Sequence, residues 1–365
     1  MVEFLKKKTV LILSSAFGFK SKDIEISRDD VNLIADIAYK QKIESIIVEG
    51  LKNLDRSDLL SDDLIKCDAK AVYDYTQRKV SLDEISDAFE KASIAYIPLK
   101  GSVLRDYYPQ PWMRTSSDID VLIHKEDLDK AIKVLKSNTS FRFMRRDPHD
   151  VHFINEYVHL ELHFTLEGSV EKINAGLSNP WEHVINRDGL FRYEFAPDYN
   201  LFYIVFHAAK HFIRNGGIGI RPLLDIYVLK THFVYDEYIV ESYCEKAGIL
   251  AFYKSCCKLI DVWFNGDIHD DISRDLEDLV LSGGVYGSTH LKIISNKRRD
   301  SDKKYIISRI FKTREELSNY YPKCRKYPIL VPYYQVVRWT KLFNVNKKKN
   351  IFLSLNKLMP LISQK

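Results

Sequence analysis

The chain has 365 residues, 45% of them apolar and 29% charged, with a formal net charge of +5. That length and balance give two or three domains with ample buried core and exclude a disordered or low-complexity polymer. Five cysteines, Cys67, Cys244, Cys256, Cys257 and Cys324, lack zinc-knuckle spacing, and the adjacent Cys256-Cys257 pair reads as helix core rather than a disulfide.

Lys6-Lys7-Lys8 followed by Thr9 to Phe19 has the basic and apolar regions of a signal peptide. Ser14, Ser15 and Gly18 interrupt the apolar stretch, the cleavage signal is poor, and the run is too short to span a membrane, so an opening helix of the fold is expected. Residues 1–90 read as an N-terminal helical region. Asp29-Asp30 begins a helix with Ile34, Ile37 and Ala38 on its apolar face, a stop comes near Gly50, and a longer helix lies around Ala69 to Ala92.

Strand and helix signals alternate through residues 91–195, the expected catalytic α/β unit. Ile94 to Leu99 reads as a buried strand ending at Lys100-Gly101-Ser102, where glycine permits a tight turn and close approach to a ligand and Ser102 starts a short helix. Free amides at such a turn suit a phosphate. A second strand follows the polar run Arg114 to Ser117: alternation places Asp118 and Asp120 on one face and Ile119 in the core. An amphipathic helix after Glu126 carries Leu128, Ile132 and Leu135 on its buried face. In Val158 to Phe164 a third strand presents His159, Glu161 and His163 together, with Val158, Leu160 and Leu162 opposite. Three acidic groups converging at a sheet edge repel one another without a cation, so the set makes sense around magnesium, or manganese in its place.

Long helical patterns dominate residues 196–365. The tail, residues 317–365, holds ten Lys or Arg and no Asp or Glu, leaving 45 basic against 50 acidic residues before it. Its basic and aromatic mixture, Tyr320 to Phe352 with Lys347-Lys348-Lys349, reads as a solvated face, a nucleic-acid contact through stacking and phosphate pairing, or a contact with an anionic membrane. Free thiols and a magnesium site point to the cytosol.

The acidic strand and its surroundings resemble the nucleotidyltransferase superfamily that includes DNA polymerase beta and the antibiotic nucleotidyltransferases, and most of all its branch of uncharacterised bacterial nucleotidyltransferases. The resemblance is carried by Leu99-Lys100-Gly101, Tyr108-Pro109, Arg114, Asp118-Ile119-Asp120-Val121-Leu122 and Glu161-Leu162-His163, with His207 to His211 and Arg221-Pro222-Leu223-Leu224-Asp225 matching the branch's helical half. Fifteen residues separate Ser102 from Asp118, more than the superfamily's usual gap.

The resemblance implies an α+β fold: a mixed β-sheet with flanking helices, plus mainly helical regions before and after it. It implies transfer of a nucleoside monophosphate from a nucleoside triphosphate to a hydroxyl of a small molecule, sugar or protein, with release of pyrophosphate. Asp118 and Asp120 would hold one or two Mg²⁺ ions. Glu161 would bind the second ion or accept the proton of the attacking hydroxyl. Gly101 and Ser102 would cradle the β- and γ-phosphates, with Lys100 and Arg114 as the nearest cations. His163, His207, His211, Arg221 and Asp225 are candidates for the cleft. His207 and His211 have the spacing of a zinc pair, yet Ala208 stands where a zinc protease places Glu, so the two histidines read as cleft wall or as ordinary core polar contacts. The rival readings are a nucleotide-binding or regulatory protein without turnover, marked by binding without product, and a metal-dependent phosphodiesterase or nuclease, marked by cleavage without added triphosphate.

Overall fold

The computed structural model describes residues 3–19, 25–166, 177, 179–186, 190–215 and 217–284, together with 314, 317, 321, 323–331 and 334. The chain forms two compact units, Met1–Lys292 and Ile293–Lys365. The first begins with helix α1 (Glu3–Ala16), whose Ile12 and Leu13 are fully buried. Helix α2 (Arg28–Gln41) is opened by a reciprocal capping box between Ser27 and Asp30 and closed at Lys42, which turns left-handed with φ 59°. The stop expected near Gly50 therefore falls earlier. Gly50 sits inside helix α3 (Glu44–Asn53), where a Cβ would lie 2.0 Å from the Ile12 carbonyl oxygen, so glycine lets α1 and α3 touch backbone to backbone. Helix α4 (Asp62–Lys91) starts before the apolar period becomes visible, because the Ser61 side chain accepts from Leu64 N–H and two aspartates follow it.

Five strands make one mixed sheet: β1 (Tyr96–Leu99), β2 (Asp118–Ile123), β3 (Arg142–Arg146), β4 (Asp150–Ile154) and β5 (His159–His163), in spatial order β1-β2-β5-β4-β3. β2 and β5 run parallel and every other neighbour is antiparallel. A short helix α5 (Gly101–Leu104) follows β1, and α6 (Leu128–Asn138) follows β2 with Leu128, Ala131 and Leu135 buried. Ile132 is partly buried against the same core. A two-stranded ribbon, β6 (Val184–Ile185) and β7 (Glu194–Phe195), precedes the second set of helices.

Period-2 alternation gives the sheet two faces with different neighbours. Ile119, Val121, Ile123, Leu160 and Leu162 pack against Ile85 and Phe89 of α4 and the buried side of α6. Each such fully buried aliphatic side chain stabilises by about 1.5–3 kcal/mol. On the other face Ile97, Leu99 and Leu122 enter a larger core. That core is built jointly by α1 to α3 and by α7 (Pro197–Asn215), α8 (Ile220–His232), α9 (Glu237–Lys246), α10 (Leu250–Phe264) and α11 (Asp271–Ser282). The helices before and after the sheet thus share one interior, and the polar residues of the sheet face meet α7 and α8.

All five cysteines are free, and Cys256 is fully buried in α10 as expected. No helix among the described residues is long and apolar enough to cross a membrane. In the second unit Lys323–Lys326 is helical and the Tyr321 and Tyr334 rings stack with centroids 4.6 Å apart. The lysine run of the basic tail, Lys347-Lys348-Lys349, lies outside the described residues.

Candidate active site

Parallel pairing of β2 with β5 sets Asp118 beside His159, Asp120 beside Glu161 and Leu122 beside His163. Residues directly opposite in a parallel ladder point the same way, so two locally encoded alternations combine into one acidic and imidazole-rich face. Asp120 is its buried centre, at 5% exposure. Antiparallel pairing of Leu99 with Asp120 places the next residue, Lys100, over that carboxylate, and Lys100 Nζ donates to Asp120 Oδ1 at 2.9 Å. His163 Nε2 lies 2.9 Å from the same oxygen. Burial opposes ionisation of Asp120, but Lys100 and His163 outweigh it and hold the carboxyl well below the usual carboxylate range. Burial and the Asp120 charge push Glu161 and Asp118 the other way.

The turn that delivers Lys100 differs from the one expected. Lys100, not Gly101, has the unusual backbone, with φ 50° and ψ −122° in a region disfavoured for a side-chain-bearing residue. Gly101 is required by space: a Cβ there would fall 2.9 Å from Arg114 Nη1. Ser102 is buried at 5% exposure and turns away from the acidic face into a neighbouring small pocket. Arg114 is held by Asp225, through Nε to Oδ1 at 2.9 Å and Nη2 to Oδ2 at 2.8 Å, and Tyr108 donates to the same carboxylate at 2.7 Å.

A cavity of about 270 Å³ opens above Asp118, Asp120 and Glu161. Two helices wall it with the same spacing. α7 contributes Ile204, His207, Ala208 and His211, and the start of α8 with the residue pair before it contributes Ile218, Arg221, Pro222 and Asp225. The α7 stripe follows the i, i+3, i+4, i+7 positions of a single helix face, whereas in the second stripe Arg221, Pro222 and Asp225 are helical and Ile218 precedes the extended Gly219. His207 and His211 approach to 3.3 Å between Nε2 atoms, and burial with the nearby Lys100 charge drives the His207 pKa far down, so its imidazole is neutral. Arg221 Nη1 donates to the Thr115 carbonyl at 2.7 Å, fastening α8 to the loop before β2.

Asp120, Glu161 and His163 each bring one ligand atom within 4.8 Å of the others, and oxygen donors in such a group fit a hard divalent cation. Asp118 lines the cavity but stands outside that group among the described residues, so the three carboxylates share a face without forming one tight triad. Two further clusters flank the first on β4, β5 and the turn before β4: His152 with His159 and Glu161, and Asp147 with Asp150 and His152. His152 Nε2 lies 2.9 Å from Asp150 Oδ1 and 3.0 Å from Asp147 Oδ2, while its Nδ1 faces His159 Nε2 at 3.1 Å. These β4 residues are absent from the sequence expectations. The apolar–polar alternation Val151-His152-Phe153 is the local signal for them, and its weakness is the shortness of the run.

Comparison with known proteins follows this geometry. No curated protein matches the chain. Among solved structures, the solution structure of the antibiotic-resistance factor ANT(2'')-Ia aligns at a TM-score of 0.33 with 12% identity, over 50% of this chain and 93% of that one. The profile of the uncharacterised nucleotidyltransferase family spans residues 27–265, which contain every strand of the sheet, both cavity-lining helices and all the acidic residues above, and the chain belongs to that family.

Proposed function

We propose that the protein transfers a nucleoside monophosphate from a nucleoside triphosphate to a hydroxyl acceptor in a metal-dependent reaction that releases pyrophosphate. The observation that supports this reading most is the register pair Asp120 and Glu161, two carboxylates side by side on parallel strands at the floor of a cavity, with Lys100 fixed over one of them. Asp118, Asp120 and Glu161 would hold Mg²⁺, or Mn²⁺ in its place, because burial and mutual repulsion make their joint ionisation costly without a cation. When bound, magnesium supplies charge neutralisation to the triphosphate and to the departing pyrophosphate.

The chain's own residues have distinct tasks in this reading. Lys100 and His163 keep Asp120 ionised and fixed in orientation. Glu161, with its pKa raised by burial and by Asp120, is the carboxylate suited to take the proton of the attacking hydroxyl. Neutral His207, with His211 and Arg221, lines the opposite wall, where base or acceptor would lie. Arg114 and Asp225 set the distance between that wall and the sheet. Gly101 keeps the turn thin enough for Arg114 to pass it.

Calorimetric titration of each of the four ribonucleoside triphosphates into the protein, with Mg²⁺, with EDTA, and with Asp118→Asn/Asp120→Asn, tests the reading. Expected are metal-dependent binding that the double variant loses, and pyrophosphate release that depends on an added acceptor. A folded wild-type protein that binds none of the four overturns it.

A further inference from the structure

The hairpin between β3 and β4 gathers ligating groups that nucleotidyl transfer leaves unused. The run Asp147-Pro148-His149-Asp150-Val151-His152 is dense in carboxylates and imidazoles. Asp147 N–H donates to the Asp150 carbonyl at 2.9 Å, so the turn sets the two aspartates close together. Strand alternation puts Asp150 and His152 on one face of β4, and the register places Arg145 of β3 opposite His152. Asp147, Asp150 and His152 each bring one ligand atom within 4.8 Å of the others. None of the three is a residue assigned above to Mg²⁺.

The contacts at His152 Nε2 fit a cation better than a hydrogen-bond network. His152 is 4% exposed, and its Nε2 lies 2.9 Å from Asp150 Oδ1 and 3.0 Å from Asp147 Oδ2. One N–H cannot serve two carboxylates well, and Asp150 Oδ1 is buried without a hydrogen bond among the described residues. Arg145 Nη2 stands 3.1 Å from the same nitrogen. A guanidinium only donates, so Nε2 accepts and the ring proton sits on Nδ1, which faces His159 Nε2 at 3.1 Å. An imidazole lone pair and two carboxylate oxygens therefore converge with no ring proton between them. Ligand atoms about 2.0–2.2 Å from an ion stand roughly 3 Å apart, which matches these separations. The outward Nδ1–H bond is the kind that fixes a ligating histidine in place.

We propose that Asp147, Asp150 and His152 form a binding site for a borderline divalent metal, Zn²⁺ above all. Two carboxylates with an imidazole favour zinc over magnesium, because a nitrogen donor suits zinc while magnesium takes oxygen ligands and keeps its water. Arg145 supplies the opposing charge in this structure: Nε donates to Asp147 Oδ2 at 2.9 Å. Its side chain is 56% exposed, so it withdraws to solvent at little cost when a metal competes, and Asp147, 42% exposed, gives the ion its entry. The inference does not rest on the transfer reaction. Asp150 Oδ2 is 3.7 Å from His163 Nδ1, and His163 contacts Asp120, so the zinc site adjoins the proposed magnesium site without sharing a ligand.

The test uses the full chain in excess Mg²⁺, which saturates an all-oxygen site, with Zn²⁺ competed against a chromophoric chelator and Co²⁺ followed by its visible absorption. Expected are a single equivalent of tightly bound Zn²⁺ and a Co²⁺ spectrum without thiolate charge-transfer bands, since the group contains no cysteine. His152→Gln and Asp150→Asn are expected to lose about tenfold or more in Zn²⁺ affinity, with circular dichroism as the check on folding. Asp147→Asn, on the exposed rim, carries the same expectation where a buried variant does not fold. Arg145→Gln is expected to bind severalfold more tightly, because the competing guanidinium is gone. A network that serves only as ion pairs gives no such gain. Asp118→Asn/Asp120→Asn keeps zinc binding, so failure of the nucleotidyl-transfer reading leaves this result intact. Loss of zinc binding in that double variant, thiolate bands in the Co²⁺ spectrum, equal affinity in wild type and Asp147→Asn, or no Zn²⁺ bound by wild type overturns the proposal.

Discussion

Arg114 and Asp225, 111 positions apart, face each other through two parallel hydrogen bonds in a buried site, with Tyr108 donating to the same carboxylate. The pair joins the loop before β2 to α8, and so joins the floor of the acidic cavity to its wall. Asp225→Asn keeps the shape and removes the charge, stranding a buried guanidinium. It is expected to cost about 3–5 kcal/mol in urea unfolding, and Arg114→Met/Asp225→Leu is expected to recover most of the loss. A single-variant cost under about 1 kcal/mol would show that the pair is solvated.

Gly101→Ala tests the thin turn. Its φ is unexceptional, so the backbone accepts alanine, but the new methyl would meet Arg114 Nη1 at 2.9 Å. The expected cost is about 1–3 kcal/mol through displacement of Arg114. Combining it with Arg114→Met should make the glycine substitution almost silent, a non-additivity read directly from a double-mutant cycle.

Asp118 and Asp120, two residues apart, are expected to respond to neutralisation with opposite signs in metal-free protein. Burial and the Asp120 charge raise the Asp118 pKa, so its ionised form is held at a cost and Asp118→Asn raises the melting temperature. Asp120 is held ionised by Lys100 and His163 against the cost of burial, so Asp120→Asn strands the lysine and lowers stability by about 3 kcal/mol. Scanning calorimetry in EDTA near neutral pH decides it, and shifts of the same sign refute the assignment.

Asp30 provides an acid-dependent stability term far from the cavity. Burial opposes its ionisation, but hydrogen bonds from Lys8 and Ser27 lower its pKa from 3.8 to about 2. A depressed carboxylate stabilises above its unfolded pKa and loses that contribution as pH falls through its folded pKa. The contribution is about 2 kcal/mol, present above pH 3.8 and gone below about pH 2. Urea midpoints for wild type and Asp30→Asn should therefore converge across that window; parallel curves down to the lowest pH would dismiss the capping box as a source of stability.

The features legible from sequence are those with short periods. Asp118, Asp120, Glu161 and His163 were placed on their faces by alternation along single strands, and His207 with His211 by helical spacing, because both regularities repeat within a few residues. Helix starts were less visible, since Ser61 opens α4 through a hydrogen bond rather than through apolar pattern.

What the tertiary structure alone decided are relationships across long sequence distances. Parallel pairing of β2 with β5 set Asp120 beside Glu161, the left-handed backbone at Lys100 rather than Gly101 aimed an ammonium at Asp120, and Asp225 took Arg114. Arg78, one basic residue among many on a long helix, became a buried cation only when tertiary packing set it beside Ser102 and Arg105 at one small cavity. Local pattern determines which face a side chain takes. Which charges meet on that face, and which are left without a partner, depends on packing between segments whose spacing in the chain carries no record of their contact.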